Sequence, residues 1–194
     1  LEAGKNIQVQ GNLDSNVNVS SNEINVRGNL SAERITSKNI TAGGNVNVKE
    51  MNVNGALNFA NGKAQNITVG ALEFGESGKL AGYTFDVGKD IFTISNSASG
   101  KVKLSPKYGA NLNNGDKVEV FNGNGDLSGL VMSVVRVTDT AGKKTYLMKQ
   151  DASDRGKLNV IATKHNAAVN IGDVIKGQKV VFGNYWQEDT NGDG

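Results

Sequence analysis

Between residues 7 and 57 a large aliphatic side chain returns every five or six positions: Ile7, Leu13, Val19, Ile24, Leu30, Ile35, Ile40, Val46, Met51 and Leu57. An amphipathic helix requires apolar positions three and four apart, and a long strand requires unbroken alternation, so the spacing fits neither. Alternation does occur locally, in Ile24-Asn25-Val26, Val46-Asn47-Val48 and Asn52-Val53-Asn54. Short strands separated by corners satisfy both observations.

Three such steps build a longer period. The phrases Gly11-Asn12-Leu13, Gly28-Asn29-Leu30 and Gly44-Asn45-Val46 recur at spacings of 17 and 16 residues. A fixed period of this kind marks a coil that repeats a small unit and buries its apolar side by stacking on its neighbours. The expected fold is all-β: a right-handed parallel β-helix, a three-sided solenoid of 16–17 residues per turn, climbing roughly 4.8 Å per turn. Fifteen of the first 66 residues are Asn. Asn tolerates the left-handed backbone expected at corners, and stacked Asn amides can hydrogen-bond along the coil axis.

From Ala60 onward the register loosens and aromatic residues take inward positions, in Leu72-Glu73-Phe74, Tyr83-Thr84-Phe85 and Ile91-Phe92-Thr93-Ile94, which predicts a wider or less regular coil up to about residue 105. A few coils bury too little apolar surface to offset the ordering of their own backbone, so their ends must be covered by further coils or by a cap. Past Pro106 longer strands are predicted at 117–121, 130–137, 144–149, 157–163 and 179–182, with turns at 139–142 and 151–156. The run 130–137, the most apolar of the chain and rich in β-branched residues, is expected to be one buried strand. The resulting division is a β-solenoid over 1–105, a β-hairpin-rich capping region over 106–186 and a tail over 187–194.

Composition narrows the class further. Twenty-five glycines and one proline suit many tight corners, and the absence of Cys excludes disulfides and thiolate metal sites. The net charge of +2 arises from scattered lysines without a basic stripe carrying interleaved aromatics, so no nucleic-acid partner is expected. No apolar run approaches membrane-spanning length, so this segment is not expected to insert in a membrane. The opening Leu1-Glu2-Ala3-Gly4 reads as the start of a piece of a longer protein.

Candidate chemistry is sparse. His165 is the only histidine, no Cys nucleophile accompanies it, and the acids of the repeat, Asp14, Glu23, Glu33 and Glu50, are spread evenly rather than clustered. An enzyme is therefore not expected, and no cofactor is implied. The glycine-rich phrase at 122–126 lacks the Gly-Lys-Ser/Thr ending of a phosphate loop and reads as a turn. Four Asn-x-Ser/Thr triplets, at Asn18, Asn29, Asn39 and Asn66, follow from Asn- and Thr-rich corners. At the end of the chain, Asp189, Asn191 and Asp193 match the first half of a calcium loop, where alternate side-chain oxygens converge on the ion. Ca2+ would bind only if that loop continued.

The segment Leu112-Asn113-Asn114-Gly115-Asp116-Lys117-Val118-Glu119-Val120-Phe121-Asn122, followed by Gly129, Thr145-Tyr146-Leu147-Met148 and Gly156-Lys157-Leu158-Asn159-Val160, resembles the C-terminal part of bacterial autotransporter passengers. The resemblance covers roughly residues 80–165. It implies a secreted or cell-surface location and an adhesin whose β-helical stalk ends in a hairpin-containing autochaperone region. The implied partners are a host-surface protein or glycan, or a second copy in self-association. Two other architectures share the short-strand grammar: a trimeric phage tail fibre that binds a host receptor, and a bactofilin-like polymer. The 16–17-residue recurrence of Gly-Asn favours one chain per coil, and hence a monomer over a trimer.

Overall fold

The computed structural model of the protein describes residues 1–59, 66–82, 84–86, 92–138 and 144–163. Residues 1–162 form one compact unit; the second, 163–194, falls outside the described residues except for Thr163. All regular structure among the described residues is β.

The first part is a stack of parallel strands. In chain order these are β1 (Glu2–Val9), β2 (Leu13–Val26), β3 (Leu30–Ala42), β4 (Val46–Val53), β5 (Ala56–Phe59), β6 (Ile67–Phe74) and β7 (Lys79–Ala81). After the short β8 (Thr84–Asp86), β9 (Phe92–Ser105) continues the stack. Each segment pairs in parallel with the one that follows it after a single repeat: β1 with β2, β2 with β3, and β3 with both β4 and β5. β4 then pairs with β6, β5 with β7, and both β6 and β7 with β9.

The periodic aliphatics sort into three inward columns. One runs Leu13, Leu30, Val46, Ile67, Phe92 and Phe121; another runs Val19, Ile35, Met51, Leu72 and Ala98; the third runs Ile7, Ile24, Ile40, Leu57, Leu80 and Leu104. All of them are buried. Three aliphatics per repeat thus serve three separate columns, which is why their sequence spacing is five or six. Each fully buried aliphatic contributes about 1.5–3 kcal/mol relative to exposure.

The loosened register has a simple origin. Along the first column the offset is 17 between Leu13 and Leu30 and 16 between Leu30 and Val46, then 21 to Ile67, 25 to Phe92 and 29 to Phe121. The ladder persists while the connections lengthen. The interior also fills with rings: Phe92 and Phe121 stack with centroids 4.8 Å apart, and Phe59 meets Phe92 edge-on at 5.9 Å.

Parallel pairing does not stop at residue 105. β10 (Tyr108–Ala110) pairs in parallel with β8, and β12 (Phe121–Asn122) and β13 (Leu130–Met132) lie in parallel over β9. The change to antiparallel structure comes with β11 (Lys117–Glu119), β14 (Val135–Thr138), β15 (Thr145–Gln150) and β16 (Lys157–Ala162), which form one sheet in the order β11-β16-β15-β14. The turn at 151–156 joins β15 to β16, with the Asp151 N–H donating to Lys157 O and the Lys157 N–H to Asp154 O. β14 and β15 pair antiparallel from Thr138 opposite Thr145; the predicted turn at 139–142 between them lies outside the described residues.

The apolar run 130–137 is not one buried strand. It splits at Ser133-Val134 between parallel β13 and antiparallel β14, leaving Val131 42% and Val134 54% exposed. Two causes act together. A strand covered on one face buries alternate residues only, so Leu130 and Met132 go inward and Val131 does not. The Ser133 N–H then donates to Val102 O while its Oγ accepts from the Leu104 N–H, which holds the chain where it leaves the stack.

Candidate functional site

The residues singled out by the Gly-Asn recurrence lie directly above one another. At the corner, the Gly28 N–H donates to Gly11 O at 3.0 Å and the Gly44 N–H to Gly28 O at 2.9 Å. One residue on, Asn12 Oδ1 accepts from the Asn29 N–H at 2.9 Å, Asn29 Oδ1 from the Asn45 N–H at 2.8 Å, and Asn45 Oδ1 from the Asn66 N–H at 3.3 Å. Next, the N–H groups of Leu13, Leu30 and Val46 donate back to Asn29 O, Asn45 O and Asn66 O. Each corner therefore exchanges bonds in both directions with its neighbour. The backbone amides that the bend would leave unpaired are satisfied through a side-chain carbonyl.

This differs from the expected role of asparagine. Asn111, at φ 54°, is the only non-glycine among the described residues with positive φ, so the corner asparagines are not there for a left-handed backbone. Nor do their amides bond to each other. They act as acceptors for the next backbone N–H, and Asn39 does the same for Ala56 at 2.9 Å. Before Asn29 and Asn45 glycine is required sterically: a Cβ on Gly28 would collide with Asn12 Oδ1 and stand 2.8 Å from Gly11 O, and one on Gly44 would collide with Asn29 Oδ1 and stand 2.7 Å from the Gly28 carbonyl carbon. Two of the sequon asparagines, Asn29 and Asn39, are thus already engaged by the fold.

Outward positions form columns as regular as the core. Asp14, Ser31, Asn47, Thr68 and Thr93 occupy successive strands of one ladder, and Ser20, Thr36, Asn52, Glu73 and Ser99 those of another. Amide and hydroxyl groups are presented at the spacing of hydrogen-bonded strands, roughly 4.8 Å. Charge is paired between coils: Lys49 Nζ lies 2.8 Å from Glu33 Oε2, and Arg34 contacts Glu50. Two of the four evenly spread acids of the repeat, Glu33 and Glu50, thus pair with cations one repeat away.

Where the stack meets the antiparallel sheet, an open groove of about 600 Å³ is lined by Val102, Leu104, Val131, Val134 and Val135, with Lys79, Lys101, Lys103 and Arg136 around it. Its wall is tied by Gln150. Gln150 Oε1 accepts from the Met132 N–H at 3.1 Å, and Nε2 donates to Leu130 O at 3.1 Å and Arg155 O at 2.7 Å. One side-chain amide thereby supplies the bonds of a missing strand along the outer edge of β13. A second tie joins β11 to the 151–156 turn: Lys117 Nζ sits 2.6 Å from Asp151 Oδ2, while the Ser153 N–H and hydroxyl donate to Asp151 Oδ1. Lys117 foremost, with the Ser153 bonds, holds the buried Asp151 carboxyl well below the usual carboxylate range. Tyr146, also buried, donates its hydroxyl to Leu112 O at 2.7 Å.

Sequence reasoning did not find Gln150, Lys117 or Asp151 as ties, because their partners lie on other strands and no local motif marks them. The candidate calcium ligands Asp189, Asn191 and Asp193, together with His165, the strand predicted at 179–182 and the tail 187–194, lie outside the described residues. Among the described residues, no group of three His, Cys, Asp or Glu side chains is placed to hold a metal ion, and no helix is long and apolar enough to cross a membrane. Comparison with family models, with curated proteins and with solved structures gives no match.

Proposed function

We propose that the chain is a structural and adhesive segment of a secreted bacterial surface protein. In this reading the parallel stack is a right-handed, three-sided β-solenoid that acts as a stiff stalk. The antiparallel sheet over 117–162 caps the C-terminal end of the stack and seeds its folding. One observation carries the reading: three inward columns are held in register over successive repeats, while their outward positions present rows of amides and hydroxyls. Such a surface is built for repetitive, low-specificity contact with a glycan or protein of a host surface. The ladders close within one chain, which supports a monomeric stalk over a trimeric tail fibre.

Two measurements test this together. Sedimentation should give the mass of one chain; a trimer that persists on dilution would replace the stalk with the tail-fibre reading. The chain should bind members of a panel of immobilised host glycans and surface proteins. Lysines introduced at Thr36, Asn47 and Thr68 should abolish that binding while the β-sheet circular dichroism is retained. Absence of binding across the panel, or binding indifferent to these substitutions, would refute the adhesive role.

A further inference from the structure

The first coil carries a glycine for which nothing in its own surroundings accounts. A Cβ on Gly28 or Gly44 would strike an asparagine Oδ1 of the coil before it, whereas a Cβ on Gly11 would meet nothing within 4 Å. The backbone of Gly11 is not in the left-handed region either. Gly11 nevertheless occupies the same corner, under Gly28 and followed by Asn12, whose Oδ1 serves the Asn29 N–H. No described residue accepts from the Asn12 N–H, although the equivalent N–H groups of Asn29 and Asn45 each find an asparagine Oδ1. A clearance for an incoming oxygen and a donor aimed at it thus coincide at one corner.

The adjoining edge is open in the same direction. β1 ends the order of the parallel sheet, and it covers only the 20–26 part of β2, so Leu13 and its neighbours have a partner strand on one side alone. Leu13 and Ile7 remain 7% and 8% exposed, against 0–1% for Leu30, Ile24, Ile35 and Ile40 in later coils. At the other end the ladder is already under way: the Leu1 nitrogen donates to Asn18 O and Leu1 O accepts from the Ser20 N–H.

The geometry points to this edge as a docking site for one further parallel coil of the Gly-Asn-aliphatic type. Its asparagine Oδ1 would accept from the Asn12 N–H through the space that Gly11 leaves, and its aliphatic residue would cover Leu13. An antiparallel strand does not fit these facts, because it would not direct an asparagine oxygen at Gly11 in the register that the later corners repeat. The inference goes beyond the adhesive role and stands without it, since it rests on the ladder alone.

The register defines the test. Glu2 pairs with Ser20, so a copy of residues 11–18 joined directly before Leu1 sets its Gly, Asn and Leu beneath Gly11, Asn12 and Leu13. The extension should raise the melting temperature of the full chain by several degrees and slow hydrogen exchange at the Asn12 amide at least tenfold. Gly11→Ala should leave the unextended chain unharmed and abolish both effects of the extension. Alanine in place of the copied asparagine should abolish the protection of the Asn12 amide. An extension that neither stabilises nor protects would overturn the inference, as would one that acts equally well on the Gly11→Ala chain.

Discussion

Gly28→Ala isolates the steric logic of the stacked corner. The added methyl meets Asn12 Oδ1 on one side and backbone on the other, with Gly11 O at 2.8 Å and the Gly11 carbonyl carbon at 2.9 Å. Backbone held by the Gly28 N–H bond to Gly11 O cannot rotate away as a side chain can. Overpacking of this kind costs about 1–3 kcal/mol, and the backbone contact places Gly28→Ala toward the upper end. Against this, replacing Gly by Ala restricts the unfolded chain and returns about 0.4–1 kcal/mol. The clash wins, leaving a net loss of roughly 2 kcal/mol, or a fall of about 4–8 °C in melting temperature for a chain of this size. Urea titration followed by far-ultraviolet circular dichroism measures it directly. Gly11→Ala is the matched control, with the same chemistry and no neighbour to strike, and should be neutral or slightly stabilising. Asn12→Ala should cost about 0.5–1.5 kcal/mol for the lost bond to the Asn29 N–H. Combined with Gly28→Ala it should cost less than the sum, because the collision with Oδ1 is gone while that with backbone remains. Equal effects at Gly11 and Gly28, or full additivity of Asn12→Ala with Gly28→Ala, would refute the argument.

Three further outcomes follow from the packing. Leu57→Ala, at a 1% exposed site of the third inward column, should cost about 2–5 kcal/mol in the same titration. Gln150→Ala removes the bonds to the Met132 N–H and to Leu130 O and should cost about 1–3 kcal/mol; hydrogen exchange at Met132 should quicken with it. Asp151 has a folded-state pKa depressed chiefly by Lys117, so its contribution is complete above the ordinary carboxylate value, about 3.9, and is lost as pH falls below it toward the folded value. Wild type should therefore lose more stability than Asp151→Asn between pH 5 and pH 2, and parallel profiles for the two would contradict the Lys117 tie.

The inward columns were legible because their cause is local. An aliphatic every five or six residues, with alternation around it, leaves little besides short strands and corners, and every member of that series from Ile7 to Leu57 is buried. The recurrence of Gly-Asn also led to the right residues, but by an incomplete mechanism. Backbone preference suggested left-handed asparagines, which the structure does not show at these corners; the expected stacking of amides along the axis does occur, but each side-chain oxygen accepts from a backbone N–H of the next repeat rather than from another amide, a partner visible only once that N–H is stacked above it. The apolar run 130–137 misled for a related reason. Its β-branched composition specifies strand, and composition alone does not say that two different sheets will share it.

By itself, then, the amino-acid order determined the all-β class, the repeat length and the identity of the core residues in the first coils. These depend on side-chain size and alternation over a few neighbouring positions. Only tertiary structure decided how far parallel pairing runs, where the chain turns into the antiparallel sheet, and which polar groups fasten the two. The Gln150 amide on β13 and the Lys117 ammonium on Asp151 join residues 18–34 positions apart in sequence. Their pairing follows from which strands become neighbours, a property of the whole stack that no window along the chain contains.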